Sequence, residues 1–347
     1  MSLSRAASRG PLLFQSERPD NALRFSGQPG HVESYFLRAN HPTRPLAVWL
    51  KSTVLAPLEG TAVAENWFIW FDGERGKTLA HKQTHPFSAV SYSGEGAKDL
   101  SIASPDTTFE LSLAGKARGT LPVRFDLSWK KDESPVGQPL SILPWRLLHT
   151  NPIPKAKLLT PFPSLRFSGR VELPWGAETL EAWPGMQGHN WGKEHTFEYA
   201  WGQCLFPADD AMVEGFSARV KIAGRITPRL SAMVVRKGGR TFRFDAIFDA
   251  WRQRAEVSAD RWFLSLRGAD GEAILEMDAS DRATQPMVCL GYDNPNGERS
   301  YCFNSKLAAV KLSVRPSDGA SFTCVSAHGG ALEFLRREPD PRFSNVV

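Results

Sequence analysis

The chain has 347 residues, 41% of them hydrophobic, which is long and apolar enough for two domains of ordinary size. It carries 42 Lys and Arg against 37 Asp and Glu, a net charge of +5. These charges are interspersed along the sequence and form no basic stripe, so the composition argues against a nucleic-acid partner. The four cysteines lie far apart without metal-ligand spacing, and we expect reduced thiols, most of them buried.

Nothing in the sequence has the length of a membrane-crossing or secretory segment. Arg5 and Arg9 near the N-terminus are not followed by an apolar stretch of signal-peptide length. No run of 18 apolar residues occurs, so no transmembrane helix is predicted. We therefore expect a cytoplasmic protein, with peripheral membrane contact as one route to an apolar substrate. The sequence makes no prediction of oligomeric state.

From the N-terminus onward, short segments alternate apolar with polar residues and are rich in β-branched and aromatic types, which is typical of β-strands. Turn-forming clusters of Gly, Asp, Ser and Pro separate them. The clearest segments are 32–38, 46–54, 62–71, 121–129, 217–222, 231–236, 241–248, 261–267, 273–277 and 331–335. Strands at this spacing predict an all-β protein built from sandwiches or barrels.

Residues 149–164 interrupt this pattern with four prolines and no alternation. Proline cannot donate a hydrogen bond to a sheet, so this segment is a poor central strand and a good connection. We therefore predict an N-terminal β-domain over residues 1–150, a Pro-rich linker over 151–165 and a C-terminal β-domain over 166–347.

In the middle of the chain, residues 185–204 place polar and aromatic side chains, which are unfavourable to bury without partners, between glycines. In one continuous strand the residues of one face would be Gln187, His189, Trp191, His195, Tyr199, Trp201 and Gln203. The opposite face would be mostly small, with glycines that leave room for a ligand. A turn within residues 190–193 would break this parity. The same histidines and aromatic rings also occur as ordinary hydrogen-bonded or core residues.

The residues of this stretch can be compared with the requirements of several kinds of functional site. His189 and His195 beside a glutamate could bind a metal, but no recognised ligand spacing is present, so we predict no metal site. Serine-nucleophile and nucleotide-binding motifs are absent, so no cofactor is predicted. A carboxylic acid in an apolar cavity is a candidate proton donor, because burial raises its pKa. The candidates for this proton donor are Glu194, Glu198 and Glu214. The alternative for each of them is an ordinary carboxylate exposed to solvent.

His189-Asn-Trp-Gly192, followed by Tyr199-Ala-Trp-Gly-Gln-Cys204, resembles the signature of the superfamily of carotenoid 1,2-hydratases (hydroxyneurosporene synthases), AttH-like proteins and, more distantly, tocopherol cyclases. Residues 161–171 and 183–186 fit the same pattern. The resemblance implies two lipocalin-like β-barrel domains. It also implies cofactor-independent chemistry on apolar isoprenoid or polyene substrates, in which a C=C bond is protonated and then captured by water or an internal hydroxyl. In some fungal relatives the substrate instead undergoes pericyclic cyclisation.

The sequence departs from the hydratase pattern at one position. The hydratases carry an acidic residue directly before the His-Asn-Trp triplet, and this chain has Gly188 there. An acid would therefore have to come from elsewhere in the chain, such as Glu194 or Glu198.

The leading hypothesis is thus a cofactor-independent hydratase, cyclase or isomerase that binds an apolar small molecule. The predicted catalytic residues are Glu194, His195, Asn190 and His189, with Glu194 or His195 as proton donor and Asn190 orienting water or a substrate oxygen. The predicted substrate-binding residues are Trp191, Trp201, Tyr199 and Gln203. One alternative is a lipid or pigment carrier without catalysis. Another is a structural role, in which the glycine-rich motif is a hinge without a ligand.

Overall fold

A computed structural model describes residues 21–94, 99–143, 147–152, 154–222, 224–245, 253–343 and 347. Within these residues β-strands dominate, and the helical elements are 3₁₀ turns at Phe87–Ala89, Pro135–Gly137 and Pro207–Asp209 and a short α1 at Leu147–Thr150. No helix in the described part of the chain is long and apolar enough to cross a membrane.

The strands follow in chain order. They are β1 His31–Asn40, β2 Leu46–Ala56, β3 Val63–Asp72, β4 Lys77–Pro86, β5 Ser91–Ser93, β6 Leu100–Ala103, β7 Thr107–Leu111, β8 Lys116–Thr120, β9 Arg124–Lys131, β10 Ala156–Leu173, β11 Gly176–Gly192, β12 Glu198–Phe206, β13 Ala211–Arg219, β14 Lys221–Ile222, β15 Arg225–Ile226, β16 Leu230–Lys237, β17 Arg240–Phe244, β18 Gln253–Val257, β19 Arg261–Gly268, β20 Gly271–Asp278, β21 Val288–Asp293, β22 Arg299–Pro316 and β23 Phe322–Arg336.

These strands form two large curled antiparallel sheets. The first has the order β4-β3-β2-β1-β11-β10-β9-β8-β7-β6-β5, and the second has the order β17-β16-β13-β12-β23-β22-β20-β19-β18, with β21 paired to β22. β14 and β15 form a separate two-stranded ribbon. The prediction of an all-β protein with two tandem lipocalin-like domains is confirmed.

Strands β1, β2 and β3 of the first sheet are buried on both faces, because the second sheet covers them. Along β2, Leu46, Val48 and Leu50 point into the core of the first sheet. The alternate residues Ala47 and Trp49 pack in a separate apolar cluster that also contains residues of the second sheet. A strand buried on both faces need not alternate apolar with polar residues, and β2 accordingly carries apolar side chains on both faces.

The predicted linker over 151–165 is wrong, because residues 156–165 are the first part of β10. Pro161 and Pro163 fall where the pairing of β10 with β11 shifts register, and a bulge tolerates a residue that lacks the N–H donor. The change from the first sheet to the second comes later, between Gly192 and Glu198. The glycine-rich motif therefore closes the first sheet, whereas the predicted boundaries placed it in the C-terminal domain.

The cysteines agree with the prediction of reduced thiols. Cys204, Cys289, Cys302 and Cys324 are all buried and none forms a disulfide. They lie in the cores of the second sheet and of the contact between the sheets, where they pack as small apolar side chains.

Candidate functional site

A cavity of about 400 Å³ lies where the two sheets face each other. Its wall is mostly apolar and includes Phe36, Trp49, Leu158, Trp201, Phe216 and Leu230. A smaller group of polar side chains reaches the same space, namely Lys51, Lys157, Asn190, His195, Thr196, Tyr199, Tyr292 and Glu333. An apolar cavity with a few convergent polar groups is the usual form of a small-molecule site.

The motif glycine Gly188 shapes one wall of this cavity. A Cβ atom at Gly188 would lie 2.2 Å from Cζ of Phe36, so only glycine lets this ring lie over the backbone of β11. Phe36 then lines the cavity and meets the Trp201 ring edge to face, with 6.0 Å between centroids. The space above the glycine is thus filled by an aromatic ring. The prediction that the glycines leave room for a ligand is wrong at this position.

Tyr199 and Glu333 form the central polar pair of the cavity. The Tyr199 hydroxyl donates to Oε2 of Glu333 at 3.4 Å. The carboxyl group also accepts from Nδ2 of Asn304 at 2.9 Å and lies 2.5 Å from Nζ of Lys306. Burial, together with nearby Cys302 and Glu333, raises the pKa of Tyr199 well above its usual value. The phenol therefore keeps its proton and donates it toward a carboxylate that can accept one.

Two further polar atoms at the cavity wall lack a hydrogen-bond partner within the described residues. They are Oδ1 of Asn190, an acceptor, and Nε1 of Trp49, a donor. Leaving a buried polar atom unpaired costs about 1–3 kcal/mol. A ligand or an ordered water that reaches either atom would satisfy it. Asn190 lines the cavity, and its role in orienting an oxygen atom stays a prediction.

His195 lines the cavity but lacks the charge needed for a proton donor. Its backbone N–H donates to Oδ1 of Asn294 at 2.9 Å, and its ring lies 5.1 Å from that of Tyr292. Burial, followed by the positive charges of Lys51 and Arg337, lowers the pKa of His195 to about 3. The imidazole is therefore neutral at physiological pH, which contradicts the predicted role of His195 as an acid.

Glu194 is not among the residues that line the cavity. Its side chain is 26% exposed and pairs with Nζ of Lys155 at 3.1 Å. Glu198 pairs in the same way with Arg219, at 3.3 Å. The turn after Gly192 breaks the continuous strand that would have carried Glu194 inward, so the structure does not support Glu194 as the acid.

Glu214 is the predicted candidate that the structure does bury in an apolar setting. Its carboxyl oxygens accept from Oγ1 of Thr160 at 2.8 Å and from Nε1 of Trp201 at 3.2 Å. Burial outweighs these hydrogen bonds and raises the pKa of Glu214 to about 7. Glu214 is not among the lining residues, but through Trp201 it holds one wall of the cavity.

His189 and Trp191 lie on the face of β11 that points away from the cavity. Nε2 of His189 lies 2.9 Å from Oε1 of the buried Glu33, and its ring stacks on Tyr35 with 4.3 Å between centroids. The Trp191 ring packs on His189 and beneath the Arg24 guanidinium. These two residues therefore belong to a polar network inside the first sheet, which separates them from Asn190.

Glu33 is the centre of that network. Burial alone would raise the pKa of Glu33, but hydrogen bonds from His189 and His31 outweigh it and lower the pKa far below its usual value. Tyr35 and the backbone N–H of Arg24 also donate to this carboxylate. A stably ionised and fully bonded carboxylate is a structural anchor and not a proton donor. No cluster of three or more His, Cys, Asp or Glu in the described residues is placed to hold a metal.

Gln203, a predicted substrate-binding residue, joins the two sheets instead. It accepts a hydrogen bond from Nη2 of the buried Arg38 on β1 and donates to the Pro163 carbonyl on β10 at 3.3 Å. Arg38 also donates to the Gly329 carbonyl at 2.8 Å. Of the eight predicted site residues, the cavity therefore collects Asn190, His195, Tyr199 and Trp201.

Lys51 and Glu333 were missed at the sequence level, although a signal for them was present. Each is the single charge of a mostly apolar segment, Lys51 in residues 46–56 and Glu333 in residues 331–335. A charge in a strand buried on both faces needs a partner or a function. Which charges end in the cavity depends on the packing of one sheet on the other, which the sequence pattern does not show.

A second groove of about 440 Å³ lies beside the cavity and shares Tyr199 with it. It is more open, and its wall carries charges such as Glu198, Arg229 and Arg336. The Arg336 and Arg229 guanidinium groups donate to the backbone carbonyls of Ser258 and Ser217. We place the candidate site in the cavity between the sheets, where Oδ1 of Asn190 and Nε1 of Trp49 lack partners within the described residues.

No protein-family model matches the chain. Two uncharacterised proteins of Mycobacterium tuberculosis, from strains CDC 1551 and H37Rv, are each 21% identical to it over 315 residues, 90% of this chain and 91% of theirs. Among solved structures, a candidate AttH protein from Nitrosomonas europaea matches with a TM-score of 0.56 and 14% identity, covering 88% of this chain and 92% of that chain. Kievitone hydratase from Nectria haematococca matches with a TM-score of 0.53 and 10% identity, covering 88% of each chain. At these identities the likeness establishes a shared fold.

Proposed function

We propose that the protein is a cofactor-independent hydratase-like enzyme that adds water across a C=C bond of an apolar substrate in the cavity between the sheets. The observation that carries this proposal is the Tyr199–Glu333 pair in an otherwise aromatic cavity. A carboxyl group and a phenol in hydrogen-bond contact offer a base and an acid at one place. The shared fold with kievitone hydratase supports the same reaction class.

The addition of water needs one proton removed and one delivered. In this proposal Glu333 takes a proton from water, and the resulting hydroxide oxygen bonds to one carbon of the C=C bond. The phenol of Tyr199 delivers a proton to the other carbon and recovers one from Glu333, so that substrate and water balance the product. Oδ1 of Asn190 accepts a hydrogen bond from the attacking water, a role that its lack of another partner supports.

The phenol of Tyr199 favours a polarised C=C bond over an isolated one. Because its pKa is raised, Tyr199 is a weak acid, which suits protonation of an enolate better than protonation of an isolated alkene. We therefore favour a C=C bond conjugated with a carbonyl group, whereas isoprenoid alkenes without one are the less favoured substrates.

The test is water incorporation from H₂¹⁸O with a panel of apolar enones, enals and unconjugated isoprenoid alkenes, read by mass spectrometry. We expect a product that has gained one labelled water, and we expect Glu333→Gln to abolish it. Glu194→Gln is the matched control, since it removes a carboxylate outside the cavity and should leave turnover unchanged. Equal turnover in both variants would refute the role of Glu333. Tight binding of a panel member that is recovered unchanged would favour a carrier.

A further inference from the structure

The side chain of Lys51 is an unusual feature of the cavity that water addition does not use. Lys51 lies on β2 with the parity of Ala47 and Trp49, so it points toward the second sheet. It is only 3% exposed and it lines the cavity. An amine buried to this extent normally has a carboxylate partner.

Aromatic rings surround Lys51 in place of a carboxylate. Its Nζ lies 3.7 Å from the centroid of the Tyr292 ring, 5.5 Å from that of Trp67 and 5.8 Å from that of Trp49. Within the described residues, no hydrogen bond or ion pair to this Nζ is formed. Lys306, the other deeply buried lysine of this region, differs because it lies 2.5 Å from a Glu333 oxygen.

The surroundings of Lys51 weaken its hold on a proton. Burial lowers the pKa of Lys51 to about 8, against the opposing effect of Cys302, Glu333 and Glu65. Lys82 contributes in the same direction as burial, and the neighbouring His195 is neutral. With a pKa of about 8, roughly a tenth of the amine is unprotonated at pH 7. A desolvated lysine of this kind is the form that attacks carbonyl groups.

We propose that Lys51 is an imine-forming amine that captures the carbonyl group of an apolar aldehyde or ketone bound in the cavity. The Nζ lone pair forms a C–N bond to the carbonyl carbon. The nitrogen loses its protons, the carbonyl oxygen leaves as water, and a C=N bond remains. No oxidant or other reactant is needed. The unpaired N–H of Trp49 offers a hydrogen bond to the carbonyl oxygen before it leaves.

This inference shares its cavity with the proposed hydration but does not require it, because imine formation and water addition are separate steps. A saturated aldehyde has no C=C bond to hydrate and tests the amine alone. Loss of hydration with intact imine formation would refute the first proposal only. Hydration without imine formation would refute the second only.

The experiment uses the full-length protein, octanal as the probe and sodium cyanoborohydride to reduce any imine to a stable secondary amine. Peptide mapping by mass spectrometry then locates the adduct. We expect one dominant adduct, at Lys51, in the folded wild-type protein. Labelling that is spread over exposed lysines and leaves Lys51 unmodified would refute the proposal. So would modification of Lys51 that appears only after denaturation.

Two variants sharpen this result. Lys51→Met removes the amine and keeps the aliphatic chain, so the dominant adduct should be lost. Lys155→Met is the control, because Lys155 is not among the residues that line the cavity and its Nζ pairs with Glu194 at 3.1 Å. The Lys51 adduct should persist in that variant. If Lys51→Met does not fold, the position of the adduct in the wild-type protein still decides the question.

Discussion

Replacing Glu214 with glutamine should remove a component of the pH dependence of stability. Glu214 is 1% exposed, and burial raises the pKa of its carboxyl group from 4.5 to about 7. The folded protein therefore binds this proton more tightly than the unfolded chain. The resulting stabilisation is fully present below pH 4.5 and is lost as the pH rises through about 7.

The pKa of Glu214 also gives the size of the effect. One pKa unit corresponds to about 1.36 kcal/mol, so the rise to about 7 makes roughly 3 kcal/mol of unfolding free energy depend on pH. Glutamine stays neutral at every pH and can still accept from Thr160 and Trp201. The stability of Glu214→Gln relative to wild type should therefore increase by up to roughly 3 kcal/mol between about pH 4.5 and pH 8.

Urea unfolding followed by tryptophan fluorescence measures this difference at a series of pH values. Glu194→Gln is the control, because its exposed ion pair contributes at most about 1 kcal/mol. A constant difference between Glu214→Gln and wild type across this range would show that the carboxyl is ionised in the folded protein. That result would refute the assignment of Glu214 as a buried neutral acid.

The other predictions concern packing at the contact between the sheets. Gly188→Ala should lose about 1–3 kcal/mol of unfolding free energy by overpacking against Phe36, whereas Gly268→Ala, whose Cβ would meet no atom nearer than 3.6 Å, should not. The loss should shrink in Gly188→Ala combined with Phe36→Leu, and additive effects would contradict the clash. Gln203→Ala should cost about 1.5–3 kcal/mol in urea unfolding, because it removes a hydrogen bond from the buried Arg38 guanidinium. An unchanged midpoint would show that Gln203 does not join the sheets.

Several strands could be predicted because their residues alternate between apolar and polar types. Residues 124–130 alternate exposed and buried positions, as expected for a strand with one face in water. β10 was missed because its prolines, read alone, argue against pairing. The long partner β11 accommodates Pro161 and Pro163 by shifts in register, and such tolerance depends on the neighbouring strand.

The candidate site was predictable in part. Tyr199 and Trp201 follow strand parity and do reach the cavity. Asn190 and His189 are adjacent in sequence, but their side chains point to opposite faces of β11, so only Asn190 is in the cavity. The turn after Gly192 resets the parity, and it could not be placed from residue types alone. The position of Lys51 in the cavity could not be predicted, because the sequence does not show which strand faces the second sheet.

Binding of the apolar fluorophore N-phenyl-1-naphthylamine tests most directly whether the cavity between the sheets is a ligand site. Ala218 lines the cavity, so Ala218→Trp should fill it, whereas Ala114→Trp changes an exposed turn of the first sheet. We expect saturable binding at one site per chain in the wild-type protein and in Ala114→Trp, and loss of binding in the folded Ala218→Trp variant. Equal binding by all three proteins, or no binding by the wild type, would contradict the central claim.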